Sequence, residues 1–392
     1  VNVLPRKKIV LLGMMAKMPV AGVVWQTLHY LVGLQRLGYE VYYVEAHATT
    51  PTMFLDSADH DGSEKAATFL DGVLRRFDFG DRWAFHALHT DGRSYGMSPA
   101  RVAHLYDSAR LIINLHGGTL PLPEHCATNR LVFLETDPVQ VQIELADDNP
   151  STTEFLDAHC AYFTFGENYG RPGCLLPVSD RYVFFPTRQP VVLDFWRAGG
   201  TPPGPMFTTV GNWRQRQREL TFGGERYSWS KHHEFLKFLD LPSRVEQSFE
   251  LALSKYDESD REMLQGKGWN VRHALDFSTD LDDYRCYIAS SRGEFTVAKD
   301  QNVRLRSGWF SDRSATYLAA GRPVITQETG FSDLFPTGAG LFAFSDMEEV
   351  VEAVTAINAD YEAHSRAATD VAREFFDSDL VLSRLLADVG EN

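Results

Sequence analysis

Between positions 186 and 205 the chain carries Pro186, Pro190, Pro202, Pro203 and Pro205, together with Gly199, Gly200 and Gly204. Proline removes the backbone N–H that helices and inner strands need, and glycine weakens both, so this stretch predicts a linker between two folded units. A chain of 392 residues is long enough for two domains, each with its own core. The expected division is a first domain over 1–185, a linker over 186–205, a second domain over 206–376 and a terminal helix over 377–392.

Short apolar runs alternate with helical spacing on both sides of that linker. Residues 8–13, 41–45, 111–115, 131–134 and 162–165 read as strands, and 22–37 and 99–108 as helices, with Gly38 stopping the first. After the linker, strands are expected at 207–210, 271–275, 287–289 and 323–326. Helices are expected at 241–255 and within 348–376, with a last one at 378–389. This rhythm predicts the α/β class: two Rossmann-like, doubly wound domains whose parallel sheets are covered on both faces. Ligands then belong beyond the C-terminal ends of the strands.

The formal net charge of −15, from 53 acidic and 38 basic residues, argues against a nucleic-acid partner. It leaves room for a phosphorylated ligand, because a few clustered cations reverse the field within one cleft. Cys126, Cys160, Cys174 and Cys286 are widely spaced and form no C-x-x-C pair, which argues against a metal site or disulfide framework and suits a reducing, cytoplasmic setting. No apolar run reaches the roughly 18–20 residues of a membrane span. The basic residues at 6–8 precede a run too short for a signal peptide, and Lys17 interrupts it.

The stretch 308–331, GWFSDRSATYLAAGRPVITQETGF, narrows the function. Ser311 and Asp312 start a helix, residues 315–320 form an apolar helical run, and Gly321 ends it. Arg322 and Pro323 turn into the strand Val324-Ile325-Thr326, and a polar loop follows. The unbonded N–H groups at such a helix start suit a phosphate-bearing ligand. The run resembles the donor-site signature of GT-B glycosyltransferases, above all the retaining, GT4-like enzymes. Phe310, Ala319, Gly321, Pro323 and Val324 keep that framework. Gly308 and Thr316 stand where the family has its two glutamates.

The resemblance implies a GT-B fold, with the terminal helix crossing back to the first domain. It implies a nucleotide-diphosphate sugar (UDP-linked or similar) bound by the second domain, and a small-molecule acceptor, such as a metabolite or natural product, bound by the first. No metal and no further cofactor is expected, and retention of anomeric configuration is the preferred outcome. Two rivals share the fold: a sugar-nucleotide epimerase, and a non-catalytic sugar-nucleotide- or glycan-binding protein, which loss of both glutamates favours.

Candidate residues follow from position. His116, at the end of LIINLHGG, is placed to hydrogen-bond the donor sugar or stabilise charge. Glu135 or Asp137, after the next strand, is placed to orient the acceptor or take its proton, and Glu167 is a further carboxylate. Gly22 opens the first helix beside the cleft. Asn212, Trp213 and Arg214 follow the first strand of the second domain. Arg216, Arg218, Arg226 and Lys231 come next, and Lys231 and Arg214 resemble the family's diphosphate-binding pair. Ser311, Asp312, Arg313 and Ser314 form the helix start. Glu294, Glu328, Thr329 and Gly330 are further donor contacts, and Lys299, Arg304 and Arg306 lie on an apparent insertion at 295–307. His29 reads as a packed helix residue. His232-His233 lacks the partners a metal site needs.

Overall fold

The apolar runs KIVLL, LIINL and LVFLE form strands buried on both faces, as a parallel sheet between helical layers requires. The structure is a computed structural model that describes residues 7–46, 51–54, 61–197, 200–215 and 219–391. Its first sheet comprises β1 (Lys8–Leu12), β2 (Glu40–Ala46), β3 (Trp83–His86), β4 (Ser94–Gly96), β5 (Leu111–Leu115), β6 (Leu131–Glu135), β7 (Ala161–Thr164) and β8 (Phe184–Pro186). The order is β4-β3-β2-β1-β5-β6-β7-β8. All pairs are parallel except β3 with β4.

After the proline-rich stretch come β9 (Met206–Asn212), the hairpin β10 (Glu219–Phe222) and β11 (Glu225–Ser228), then β12 (Ser248–Ser254), β13 (Asn270–His273), β14 (Gly293–Thr296), β15 (Val324–Gln327) and β16 (Leu341–Phe344). The second sheet has the order β13-β12-β9-β14-β15-β16, and all its pairs are parallel. Strand order reverses at β1/β5 in one sheet and at β9/β14 in the other. These switch points are where an open α/β sheet leaves a crevice for ligands.

Two expected elements change identity. Residues 248–254 form β12, a strand beside the sheet's first strand, where a helix was expected over 241–255. Phe249, Leu251 and Leu253 belong to one apolar cluster while Ala252 packs into another, so the segment is buried on both sides. Residues 287–289 lie in the helix Leu281–Ser290 instead of a strand. Asp280 caps that helix by accepting the N–H groups of Asp282 and Asp283, and the strand follows at β14.

Helices join the two domains. Helix α1 (Ala21–Arg36) donates Ala21 N–H to Ser278 O (2.7 Å) and Trp25 Nε1–H to Leu281 O (3.1 Å). The signature helix α2 (Asp312–Ala319) packs on β14 and β15, and α3 (Ser378–Asp388) returns to pack on α1. There Gly33 lets the helices touch: a Cβ on it meets Leu382 Cδ1 at 2.5 Å and Ser378 Cβ at 3.1 Å. Gly33→Leu should therefore destabilise the protein by about 1–3 kcal/mol, the usual range for overpacking. Urea unfolding monitored by tryptophan fluorescence measures it.

Candidate active site

The cleft is built where the C-terminal ends of β1, β5 and β6 meet the ends of β9, β14 and β15. On the first-domain side, the loop after β1 is pinned by its neighbour strand: Tyr43 Oη accepts Met15 N–H (3.0 Å) and Glu45 accepts Ala16 N–H (2.7 Å). Gly22 then lines a small interdomain cavity together with Gln26, Asp312, Arg313 and Thr316.

His116 follows β5 with φ of +66°, a left-handed conformation uncommon outside glycine. Such strain tends to persist where the surroundings fix it for a purpose. Its Nδ1 is 2.8 Å from Thr136 Oγ1, while Nε2 is buried with no partner. Burial holds the imidazole down at about 4, against the opposing pull of Asp137. It is therefore neutral at pH 7, with a hydrogen-bonding atom rather than a positive charge to offer.

The two carboxylates after β6 have different environments. Glu135 is 3% exposed, and its Oε2 accepts from Gln142 Nε2 (2.8 Å) and Thr164 Oγ1 (2.6 Å). Burial pushes its pKa up to about 8 despite those bonds, so it is largely protonated at neutral pH and braces β6 against β7. Asp137 faces the other domain, where its Oδ2 pairs with Lys299 Nζ at 2.5 Å and its Oδ1 is buried without a partner.

The Glu135 environment has a consequence for stability. Its folded pKa lies above the unfolded value near 4.5, so between about pH 4.5 and 8 the native state holds the extra proton. Stability falls as pH rises through that window. Glu135→Gln keeps an acceptor for both donors and should raise the melting temperature more at pH 8 than at pH 5. Thermal scans at both values test this.

From the second domain, the first turn of α2 reaches the cleft. Ser311 stands at its N-cap but makes no capping bond, and the Ser314 hydroxyl is wholly buried and unpartnered. Arg313 is enclosed: it pairs with the buried Glu294, and it donates to Val210 O and to Thr296 Oγ1 (2.9 Å). Lys231 lies half-buried with its Nζ 5.5 Å from the centre of the Trp309 ring, and it forms no ion pair among the described residues. Burial, and then the positive charge of Arg313, hold its ammonium down at about 7. Asp312 is pushed up by its burial.

The insertion expected at 295–307 forms a short helix, Asp300–Arg304. It brings Lys299 over the Trp229 ring at 4.3 Å and onto Asp137. Gln301 and Asn302 on it are fully buried, with both polar atoms of the Gln301 amide and the Asn302 Nδ2 unpartnered. Nothing in the sequence marked these amides. Asn168 was missed as well: its Nδ2 donates to Gly330 O (2.9 Å) across the cleft, and its own N–H to Ser307 O (3.1 Å).

The other sequence candidates divide. Thr329 donates to Trp309 O (2.6 Å), Glu328 accepts Gly330 N–H, and Trp309 Nε1 donates to Thr136 O (3.1 Å), so this loop closes the cleft wall. Gly330 is at φ +94° against Asn168, where a Cβ has no room. Arg214 forms a bidentate pair with Asp260 beside a hollow of about 400 Å³ that Lys255, Tyr256 and Asp257 also line. Asn212 accepts from Ser254 Oγ, and Trp213 is buried in the second domain's core. The charge of Arg313 is felt at Lys231, while Arg214 lies 3.4 Å from Nε2 of His232, the next residue along the chain. Glu167 pairs with Arg188 at 2.5 Å, and His29 is buried at the domain junction, within 3.0 Å of Val192 N and Trp196 Nε1. Arg216 and Arg218 lie outside the described residues.

The charges of Arg313 and Lys299 both reach Lys231 near the start of α2, and among the described residues His116, Gln301, Asn302 and Ser314 carry buried polar atoms without a hydrogen-bond partner. Cations and free N–H groups suit an anion, and the spare donors and acceptors suit a hydroxyl-rich group.

Residues 213–383 match the model of a family described as glycosyl transferase-like. No curated protein sequence matches the chain. An alpha-glucosyltransferase solved with UDP and a 13-mer DNA superposes with a TM-score of 0.60 at 10% identity, covering 98% of this chain and all of that one. HepE of Anabaena, solved with UDP-glucose, gives 0.54 at 12% identity over 98% of this chain and all of its own. AviGT4, a glycosyltransferase of avilamycin A biosynthesis, gives 0.50 at 11% identity over 97% and 96%. The chain has the GT-B fold, and the family model that its residues 213–383 match is described as glycosyl transferase-like.

Proposed function

We propose that the chain transfers a sugar from a nucleotide-diphosphate sugar to an acceptor hydroxyl, without a metal and with retention of configuration. The observation that carries this reading is Lys231, which forms no ion pair among the described residues and feels the charge of Arg313 at the uncapped start of α2. The diphosphate takes the free N–H groups of the first turn and the Lys231 ammonium, which neutralise the leaving group's charge. The sugar lies toward His116, Gln301 and Asn302, whose spare polar atoms meet its hydroxyls. Asp137, paired with Lys299, orients the acceptor.

In the reaction the acceptor oxygen forms a bond to the anomeric carbon while the bond from that carbon to the diphosphate oxygen breaks. The acceptor's proton passes to the departing diphosphate on the same face. Solved relatives that bind UDP or UDP-glucose make uridine the base to test first. Thermal-shift screening against UDP, TDP and GDP without metal should give a rise with UDP alone. An NMR time course with UDP-glucose and an accepted alcohol should then show the α-anomer formed first. A β-product removes retention, and no shift with any nucleotide removes the donor site.

A further inference from the structure

The first domain holds a second concavity, about 140 Å³ in volume, over the ends of β2 and β3. Val44, Ala84, Val102, Tyr106 and Leu122 form hydrocarbon walls, and His86 and Glu124 add two polar groups. A dry protein cavity of about 150 Å³ takes one benzene ring, so the volume matches a single six-membered aromatic ring. The walls are fixed. The Tyr106 ring is buried edge-on against His125, with centroids 4.7 Å apart, and His125 Nδ1 in turn accepts Leu122 N–H at 3.1 Å.

The position relates this pocket to the cleft. Val44 lies near the C-terminal end of β2, and only β1 separates β2 from β5, after which His116 follows. Two strand spacings put the two sites about 10 Å apart across the sheet. Six residues along the chain from His116 to Leu122 limit the separation to about 20 Å. Between them Leu120 is 61% exposed and offers an apolar surface along that path.

We propose that this pocket receives a hydroxylated aromatic ring belonging to the acceptor, while the reacting hydroxyl lies about 10–20 Å away at His116 and Asp137. The inference rests on the reading of the cleft as a glycosyl-transfer site. The ring's face and edges fill the hydrocarbon walls, and its hydroxyl meets the Glu124 carboxylate or the His86 imidazole.

Phenol is the probe, with methyl glucoside as the ring-free control, observed by saturation-transfer NMR on the full chain. Phenol should give a signal with the wild type and methyl glucoside none at this pocket. Ala103, on an exposed stretch of the helix Pro99–Ser108, also lines the cavity. Ala103→Phe should fill the cavity and abolish the phenol signal, while Ala103→Ser keeps it. Melting temperatures of both variants report the fold. In turnover with UDP-glucose, Ala103→Phe should raise KM for an aryl-bearing alcohol at least tenfold. No phenol signal in the wild type, or one that survives Ala103→Phe, overturns the pocket. Absence of UDP release from UDP-glucose in the wild type defeats the transferase reading instead, and the two failures are thereby told apart.

Discussion

Lys231→Ala is expected to lower kcat/KM by about 100- to 1,000-fold, the usual loss when one preorganised charge-stabilising group is removed from a transferring centre. It should also abolish the thermal shift produced by UDP. Burial and the neighbouring Arg313 hold the Lys231 ammonium at about 7 in the free protein. A diphosphate placed beside it reverses that balance and raises the pKa, because the opposite charge favours the protonated form. Below pH 7 the lysine is already charged and UDP binds most tightly. Above pH 7 binding must first take up a proton, so affinity falls by up to about tenfold per pH unit until the bound-state pKa is reached. Calorimetry at pH 8 in Tris and in HEPES should therefore reveal uptake of nearly one proton by the wild type and none by Lys231→Ala. Lys231→Arg keeps the charge without titrating and should bind UDP with no uptake. Equal proton uptake in the alanine variant removes Lys231 from the phosphate site.

Much of the fold was legible because it rests on local chemistry. Glycine and proline between 186 and 205 separated the two sheets, and continuous apolar runs such as LIINL announced buried parallel strands. The helix start at Asp312 was readable for the same reason, from residues adjacent in sequence. What stayed hidden depends on partners far along the chain. The ion pair of Asp137 with Lys299 spans 162 positions, and the bond from Asn168 to Gly330 also spans 162. Arg214 follows the first strand of the second domain and pairs with Asp260, a partner that no spacing rule reveals. At β12 the strand signal was present but short: Phe249, Leu251 and Leu253 alternate with Ser248, Glu250 and Ser254 inside the longer stretch read as a helix.

Glu294→Ala should lower the free energy of unfolding by about 3–5 kcal/mol, the range seen when one partner of a buried ion pair is removed. Glu294 is wholly buried on β14 and is the counter-charge of Arg313, whose other contacts are the neutral Val210 carbonyl and Thr296 hydroxyl. Guanidinium does not give up its proton in a protein, so the arginine cannot escape by neutralising itself. It must either remain buried without a counter-charge or pull the first turn of α2 out of place. The second route unseats the phosphate site along with the core, which links donor binding to stability through one carboxylate. The double variant Glu294→Ala/Arg313→Met separates the effects. Replacing a whole buried pair with apolar groups is often close to neutral, so the double variant should recover most of the lost stability in urea denaturation. It should not recover UDP binding, because the cation beside Lys231 is gone. A Glu294→Ala protein that unfolds at the wild-type urea midpoint but has lost turnover would instead make Glu294 a contact to the donor sugar.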